Sequence, residues 1–411
     1  MKKTNQLQKN ISNEWQLIPA GDVFEFIKTY SFSRDNLTTE ILSSDRVGCI
    51  HYGDIHSTYI GTTVDISKTK IPCINDKGFS PKKEELLKDG DLVMADASED
   101  YEGIGVTVSI HGIGKNKVVG GLHTFVLRDN KNKTTEYYRQ YIFRNKEIRN
   151  KLQKVANGVS VYGISKTALS KMFLPIPAIP EQNRIVSVLE TWDKTIENLN
   201  KKIEIKKQIK KCLMQDLLTG KKRLEGFNDK WEVVMLGNIC DVKTGKKDVN
   251  EGNPNGKYPF FTCAKEHTYS DNYSFDTEAI LIAGNGEVGN CLYYKGKFEA
   301  YQRTYVLSNF KKESMYIYQY LNYFFQNIIN SQKQMGAMPY IKLGMLQEFE
   351  IKIPKDLTEQ KEIANVLIIT DKEIIELERK LSIIKDQKKF LLNNLITGVI
   401  RTPENLLVKV K

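Results

Sequence analysis

The chain has 411 residues, with 61 Lys and Arg against 50 Asp and Glu and a formal net charge of +11. That length gives room for two to three domains with ample core, and the charge favours an anionic partner such as nucleic acid. No run of eighteen apolar residues exists and no apolar segment follows the opening MKKTNQLQKN, so a membrane span and an ordinary secretion signal are both excluded and a cytoplasmic protein is expected.

Residues 1–178 form the first globular segment, with short β-branched and aromatic runs punctuated by Gly, Asn and Asp. His56, Ser57 and Tyr59 follow a predicted turn at Tyr52-Gly53-Asp54, Ser98 and Glu99 occupy a polar loop, and His123 sits before a predicted strand. These are the candidate DNA contacts of this segment, since a carboxylate can accept from cytosine and imidazole and hydroxyl groups can reach base edges. Cys49, His51 and His56 are close in sequence, but a structural metal site needs four converging ligands and none is expected. The six cysteines are Cys49, Cys73, Cys212, Cys240, Cys263 and Cys291, with no CxxC pair, as suits free thiols in a reducing compartment.

Residues 179–226 are predicted to be mainly one long helix. Ile185, Leu189, Trp192, Ile196, Leu199 and Ile203 alternate steps of four and three, the spacing of one seam, before Lys206 and Lys210 interrupt it and Leu213 and Leu217 resume it. Ile205, Ile209 and Cys212 offer a second face should the helix rotate. The lysines at 201, 202, 206, 207, 210 and 211 are expected on a solvated face, with a phosphate or subunit-docking face as the alternative.

Residues 227–356 form a second globular segment. Its polar loop carries Lys246, Lys247, Asn253 and Lys257, where lysines would neutralise phosphates and Asn could contact adenine. Lys265, Tyr269, Asn285, Gln302 and Arg303 fall at the ends of predicted strands and complete the candidate DNA contacts. Gly284, Gly286 and Gly289 spell GxGxxG, but strand-like residues follow where a dinucleotide site needs a helix, so a turn between strands is expected and no cofactor is.

Residues 357–411 hold a second long helix and a tail. Ile363, Leu367, Thr370, Ile374, Leu377, Leu381, Ile384, Lys388, Leu391 and Leu395 form its seam, broken in character only by Thr370 and Lys388. Aligned at an offset of 178, residues 359–401 match 181–223 at 19 of 43 positions, a duplicated module. Pro180 and Thr358 suit helix starts, Glu181 and Glu359 suit the positive end of the dipole, and Gly220 and Gly398 suit C-caps. Each helix would run roughly 55 to 60 Å.

The globular segments also resemble each other. Trp15 and Gly21 correspond to Trp231 and Gly237, residues 92–105 resemble 280–289, and LHTFVL at 122–127 resembles QRTYVL at 302–307. Gly158 and Tyr162 correspond to Gly336 and Tyr340, and Ile176-Pro177 to Ile353-Pro354. The expected fold is α+β: two similar β-rich domains with helices, joined and spaced by two long helices packed as an antiparallel coiled coil with pseudo-two-fold symmetry.

This order of domain, rod, domain, rod resembles the specificity subunit of type I restriction-modification systems over nearly the whole chain. The resemblance rests on the IPAIPEQNRI and IPKDLTEQKEI helix starts, the Leu-(Leu/Ile)-Thr-Gly helix ends, and the GKYPFFTCAKE and AYQRTYVL segments. It implies a non-catalytic protein that brings two adenine-methylating subunits, and in the full assembly restriction and translocating subunits, to a bipartite site on double-stranded DNA. Each target-recognition domain would read one half-site while the helices set the unread spacer and dock the methylating subunits; Glu181, Gln182, Glu359 and Gln360 are the candidate partner-binding residues. The sequence agrees in lacking an Asn/Asp-Pro-Pro-Tyr/Phe run and a GxxxxGK(S/T) loop. A coiled-coil scaffold that bridges proteins without reading DNA sequence is the alternative, and an enzyme with a pocket at residues 284–289 is a third reading.

Overall fold

A computed structural model describes residues 15–38, 42, 45–59, 61–158, 161–325, 329 and 340–406. Gly336, expected to match Gly158, lies outside the described residues. The chain divides into two compact units: Met1–Asn198 with Leu381–Lys411, and Leu199–Lys380. The division does not follow the four linear segments. Each unit takes one globular segment together with half of each long helix.

In unit 1 a five-stranded sheet runs in the order Glu25–Ile27, Thr124–Arg128, Leu92–Ala95, Thr107–His111, Thr63–Asp65. Its pairings are antiparallel except the last, which is parallel. The second sheet is four-stranded, with Val47–Ile50 between Lys117–Gly120 and Cys73–Ile74 and with Leu37–Thr38 at the edge. In unit 2 a six-stranded sheet runs Asp241–Thr244, Thr304–Ser308, Phe275–Ala283, Cys291–Ala300, Tyr258–Phe261, Thr268–Ser270.

The faint resemblance between the globular segments corresponds to shared pairing. Leu92 faces Leu127 and Ala95 faces Thr124 in unit 1; Ile280 faces Leu307 and Ala283 faces Thr304 in unit 2. The Trp-to-Gly openings and the Ile-Pro closings meet in two-stranded sheets, Gln16–Pro19 against Phe173–Ile176 and Glu232–Met235 against Glu350–Ile353. First and last strands thus close each globular segment on itself and deliver the chain to a long helix.

The long helices span Ile179–Leu218 and Leu357–Leu395. Gly220 and Gly398 follow with φ of 70° and 75°, the left-handed geometry that ends a helix and that glycine adopts without a Cβ clash. Within each unit the helix halves run antiparallel. Glu181 meets Arg401 and Asp193 meets Lys388 in unit 1, while Arg223 meets Glu359 and Lys210 meets Asp371 in unit 2.

The seams turn inward as the spacing predicts, although Trp192, Ile196, Leu199, Leu213, Leu377 and Leu391 are only half-buried and their neighbours Met214 and Leu392 are buried beside the seam. Ile185 and Leu189 pack with Leu392 and Leu395 in the unit 1 core, and Met214 and Leu217 with Ile363 and Leu367 in that of unit 2. The alternative face is corrected, since Ile205 and Ile209 are exposed on the other side. Lys388 and Lys210, the charges that interrupt the seams, each pair with an Asp from the opposite helix, Asp193 and Asp371 (2.5 Å for the second). Half of the lysine cluster is likewise spent on cross-links: Lys206 meets Glu373 and Lys207 meets Glu378, at 2.8 and 2.9 Å. A fully buried Leu or Ile contributes about 1.5–3 kcal/mol, whereas exposed ion pairs contribute about 0–1 kcal/mol. The seam therefore supplies the stability and the ion pairs set the register.

Candidate nucleic-acid interface

The four residues expected to bind partners turn inward instead. Glu181, Gln182, Glu359 and Gln360 are all at most 3 % exposed. Glu181 accepts from the Arg401 guanidinium (2.5 and 2.6 Å) and from the Trp15 indole N–H (3.0 Å). Glu359 accepts from Arg223 at 2.6 and 2.8 Å. Each arginine lies over a tryptophan ring, Arg401 over Trp15 and Arg223 over Trp231, and the same rings pack on the helix-ending Gly398 and Gly220.

The glutamines tie helix starts to the domains. Gln182 Oε1 accepts from the Thr135 N–H, and its Nε2 donates to the carbonyls of Lys133 and Pro177. Gln360 Oε1 accepts from the Glu313 N–H, and its Nε2 donates to the carbonyl of Pro354. The Glu-Gln start, the Thr-Gly end and the Trp opening thus make one clamp, built twice. A buried carboxylate needs such a partner set, because unpaired it would be strongly destabilising. Partner binding by these four residues is withdrawn.

In unit 1 the candidate DNA contacts divide. His56 and His123, far apart in sequence, both meet the half-buried Tyr52 edge-on: their rings stand 6.1 and 5.3 Å from it, and His51 stands 4.7 Å away. The Tyr52-Gly53-Asp54 turn is instead the first turn of a short helix, Tyr52–Ser57, capped by His51 Nδ1 accepting from the Gly53 N–H. Burial, then the Arg34 charge, lowers the His51 pKa and keeps it the neutral acceptor that this cap requires. His123 has a positive φ of 53° and its Nδ1 lies 3.4 Å from Asp96 Oδ1. Burial raises the Asp96 pKa, with the nearby His123 opposing it.

Ser57 and Glu99 are exposed, although the Ser57 hydroxyl donates to the Gly53 carbonyl. Tyr59 and Ser98 are corrected. Tyr59 is 8 % exposed within an apolar core and burial raises its pKa; Ser98 is 3 % exposed and accepts from the Asp100 N–H. Neither is placed to touch a nucleic acid. Sequence reasoning missed Tyr52 as a contact candidate because Gly53 made its helix look like a turn.

In unit 2 four separate segments are tied together by backbone bonds. The Gln302 N–H donates to the Lys247 carbonyl, Tyr301 N–H to Phe261, Gly284 N–H to Arg303, and Glu287 N–H to Cys263. This gathers Lys246, Lys265, Asn285, Gln302 and Arg303 around one sheet edge. Lys246, Lys265 and Arg303 are exposed and carry no ion pair among the described residues. Lys257 lies over the Tyr258 ring, and Tyr269 is 40 % exposed beside His267.

Two candidates are already occupied. Lys247 binds the Ser270 hydroxyl and Glu299, and the Asn253 amide donates to Asp271. Both order the loop and are less available to DNA. Gln302 is exposed, its amide reaching Asp248 at 3.2 Å. The GxGxxG residues form the turn between Phe275–Ala283 and Cys291–Ala300, with positive φ at Gly286 and Gly289; a Cβ on Gly284 would lie 2.5 Å from the Arg303 carbonyl. His123 and Arg303 hold matching places: the His123 carbonyl accepts from Asp96 as that of Arg303 does from Gly284.

Two sheet edges with exposed polar groups, each fastened to paired long helices by the same clamp, define a protein with two recognition domains in series. The model of the type I restriction modification DNA specificity domain matches residues 12–207 and 228–385, and the chain belongs to that family. A putative type I restriction enzyme MjaX specificity subunit from Methanocaldococcus jannaschii is 27 % identical, with 95 % of each chain covered. The EcoDI specificity subunit of Escherichia coli is 36 % identical over 137 residues, 33 % of this chain and 30 % of that protein. The S subunit of the Mycoplasma genitalium type I system has a similar fold: TM-score 0.58, 16 % identity, with 94 % of this chain and 97 % of that one covered. A chain from a structure of type I restriction-modification complex assembly and conformational transition gives TM-score 0.62 at 18 % identity, covering 95 % and 99 %. The chain is a specificity subunit with two recognition domains.

Proposed function

We propose that each domain reads one half of a bipartite duplex target through the edge described above, and that the long helices set the unread spacer and hold two adenine-methylating subunits. The observation that supports this most is the repeated clamp: in both units a helix-start glutamate pairs with an arginine and a helix-start glutamine binds the domain backbone. In unit 2 Lys246, Lys265 and Arg303 would neutralise phosphates while Asn285 and Gln302 reach base edges. In unit 1 Tyr52, His56, His123 and Glu99 would do the reading with less charge.

Apolar side chains left open on the helices, among them Ile369, Ile375 and Phe390 at 60–65 % exposed, suit the methylating partners. Restriction and translocating subunits would join through those partners, and catalysis would reside on the other chains. No described helix is long and apolar enough to cross a membrane.

Methylome sequencing of the source cell with and without the gene tests this. Loss of adenine methylation at one two-part motif is expected. An unchanged methylome, with the methylating partner active, would leave a scaffold that does not read sequence. Replacing one domain by another of the family should change one half of the motif; a change in both halves would contradict the one-domain, one-half assignment.

A further inference from the structure

The two units treat their helix lysines differently. In unit 2 Lys207 and Lys210 are met by Glu378 and Asp371. Their counterparts at the repeat offset are Lys385 and Lys388 of unit 1. Lys388 keeps its acid, Asp193, but the counterpart of Glu378 is Asn200, and Lys385 carries no ion pair among the described residues. Lys389 carries none either, and Arg144 stands where the unit 2 repeat has Asn322.

These groups converge on a cavity of about 470 Å³ whose walls include Arg144, Arg149, Lys385, Lys388 and Lys389 against the single acid Asp193. Arg144 donates to backbone carbonyls through one terminal nitrogen, while its buried Nε has no partner among the described residues. The remaining wall is apolar and aromatic, with Val106, Phe143, Ile196 and Leu392. A half-apolar pocket of this size with a cationic side suits a small ligand having a flat apolar body and several negative charges.

We infer that this cavity binds a small organic polyanion of nucleotide size, its apolar body against the half-buried Val106 and Ile196 and its phosphates against Lys385, Lys389 and Arg144. The cavity is lined by none of the residues proposed to read DNA and does not rest on that reading. Because Asp193 also accepts from the Tyr141 hydroxyl at 2.9 Å, an occupied cavity would brace the unit 1 domain against its helices.

Calorimetric titration of the full chain tests this, with adenosine triphosphate free of divalent cation as probe and inorganic phosphate in a parallel run. Saturable binding of the triphosphate at one site is expected, with phosphate much weaker. Lys385→Glu with Lys389→Glu should weaken it by about tenfold or more, as expected for loss of charge-assisted bonds. Both lysines are exposed, so an unchanged melting temperature would show the fold retained. Lys211→Glu, at the unit 2 counterpart of Lys389, should leave binding unchanged. No saturable heat, an equal loss in Lys211→Glu, or phosphate binding as tightly as the triphosphate would each overturn the assignment.

Discussion

The two clamps share their glutamate, arginine, glutamine and tryptophan, yet they finish differently. In unit 1 the Trp15 indole N–H donates to Glu181; in unit 2 the Trp231 Nε1 is buried without a partner among the described residues. The two reading edges differ more. Unit 1 gathers histidines and a tyrosine with acidic neighbours, whereas unit 2 gathers lysines and an arginine that carry no ion pair among the described residues. One scaffold thus holds its supporting bonds constant while the recognising surface changes its chemistry, which is possible because the clamp lies away from the sheet edge.

The largest effect is expected from the clamps. Glu181→Ala should destabilise by about 2–4 kcal/mol, the range for breaking a buried pair discounted for a partly exposed arginine. Glu359→Ala should cost less, because no indole bond is lost with it. Urea unfolding monitored by tryptophan fluorescence would report both, and equal losses would remove the role given to the Trp15 bond.

Next come the edges. Arg303→Ala should weaken binding to cognate duplex and make the salt dependence shallower by about one unit of log–log slope. His123→Ala should leave that slope alone. Matching slope changes from fluorescence anisotropy would erase the contrast between the edges.

Smaller still, Trp15→Phe should cost about 1 kcal/mol while Trp231→Phe should be close to neutral, since it removes a buried donor that already lacks a partner among the described residues. Calorimetric melting of the two variants decides this.

The smallest effect is a pH dependence confined to unit 1. His51 is held neutral with a pKa below its ordinary 6.5. Its contribution is intact above about pH 6.5 and is lost as the pH falls through the lowered value, when the proton displaces the Gly53 bond. Arg34, Asp54 and His123 face the same ring and set its charge surroundings. Relative to the intrinsic exchange rate at each pH, amide protection in Tyr52–Ser57 should fall on acidification, and His51→Gln should suppress the change.

Much of this was legible because duplication prints the same physics twice. The seam spacing, the glycine ends and the matched strands of 92–95 and 280–283 all have local signatures. The inward turn of Glu181 and Glu359 was legible only in combination: Arg223, Arg401, Trp15 and Trp231 repeat at related positions, yet nothing local says that acid and arginine come from different helices. Tyr59 was misplaced because its hydroxyl suggested a surface role, while tertiary packing buried the ring. Lys388 and Lys210 looked like faults in the seam because their Asp partners lie on the opposite strand of the pair.

The chain order of the units bears on how the molecule is made. Unit 2 is one continuous stretch, whereas unit 1 is interrupted by it and resumes only at Leu381. During synthesis from the first residue onward, unit 2 has all of its parts before unit 1 does. The first domain must wait, with Glu181 lacking its arginine and its helix lacking Leu392 and Leu395, until residues 381–401 are released. Termination just after residue 380 would therefore damage the first recognition domain while sparing the second.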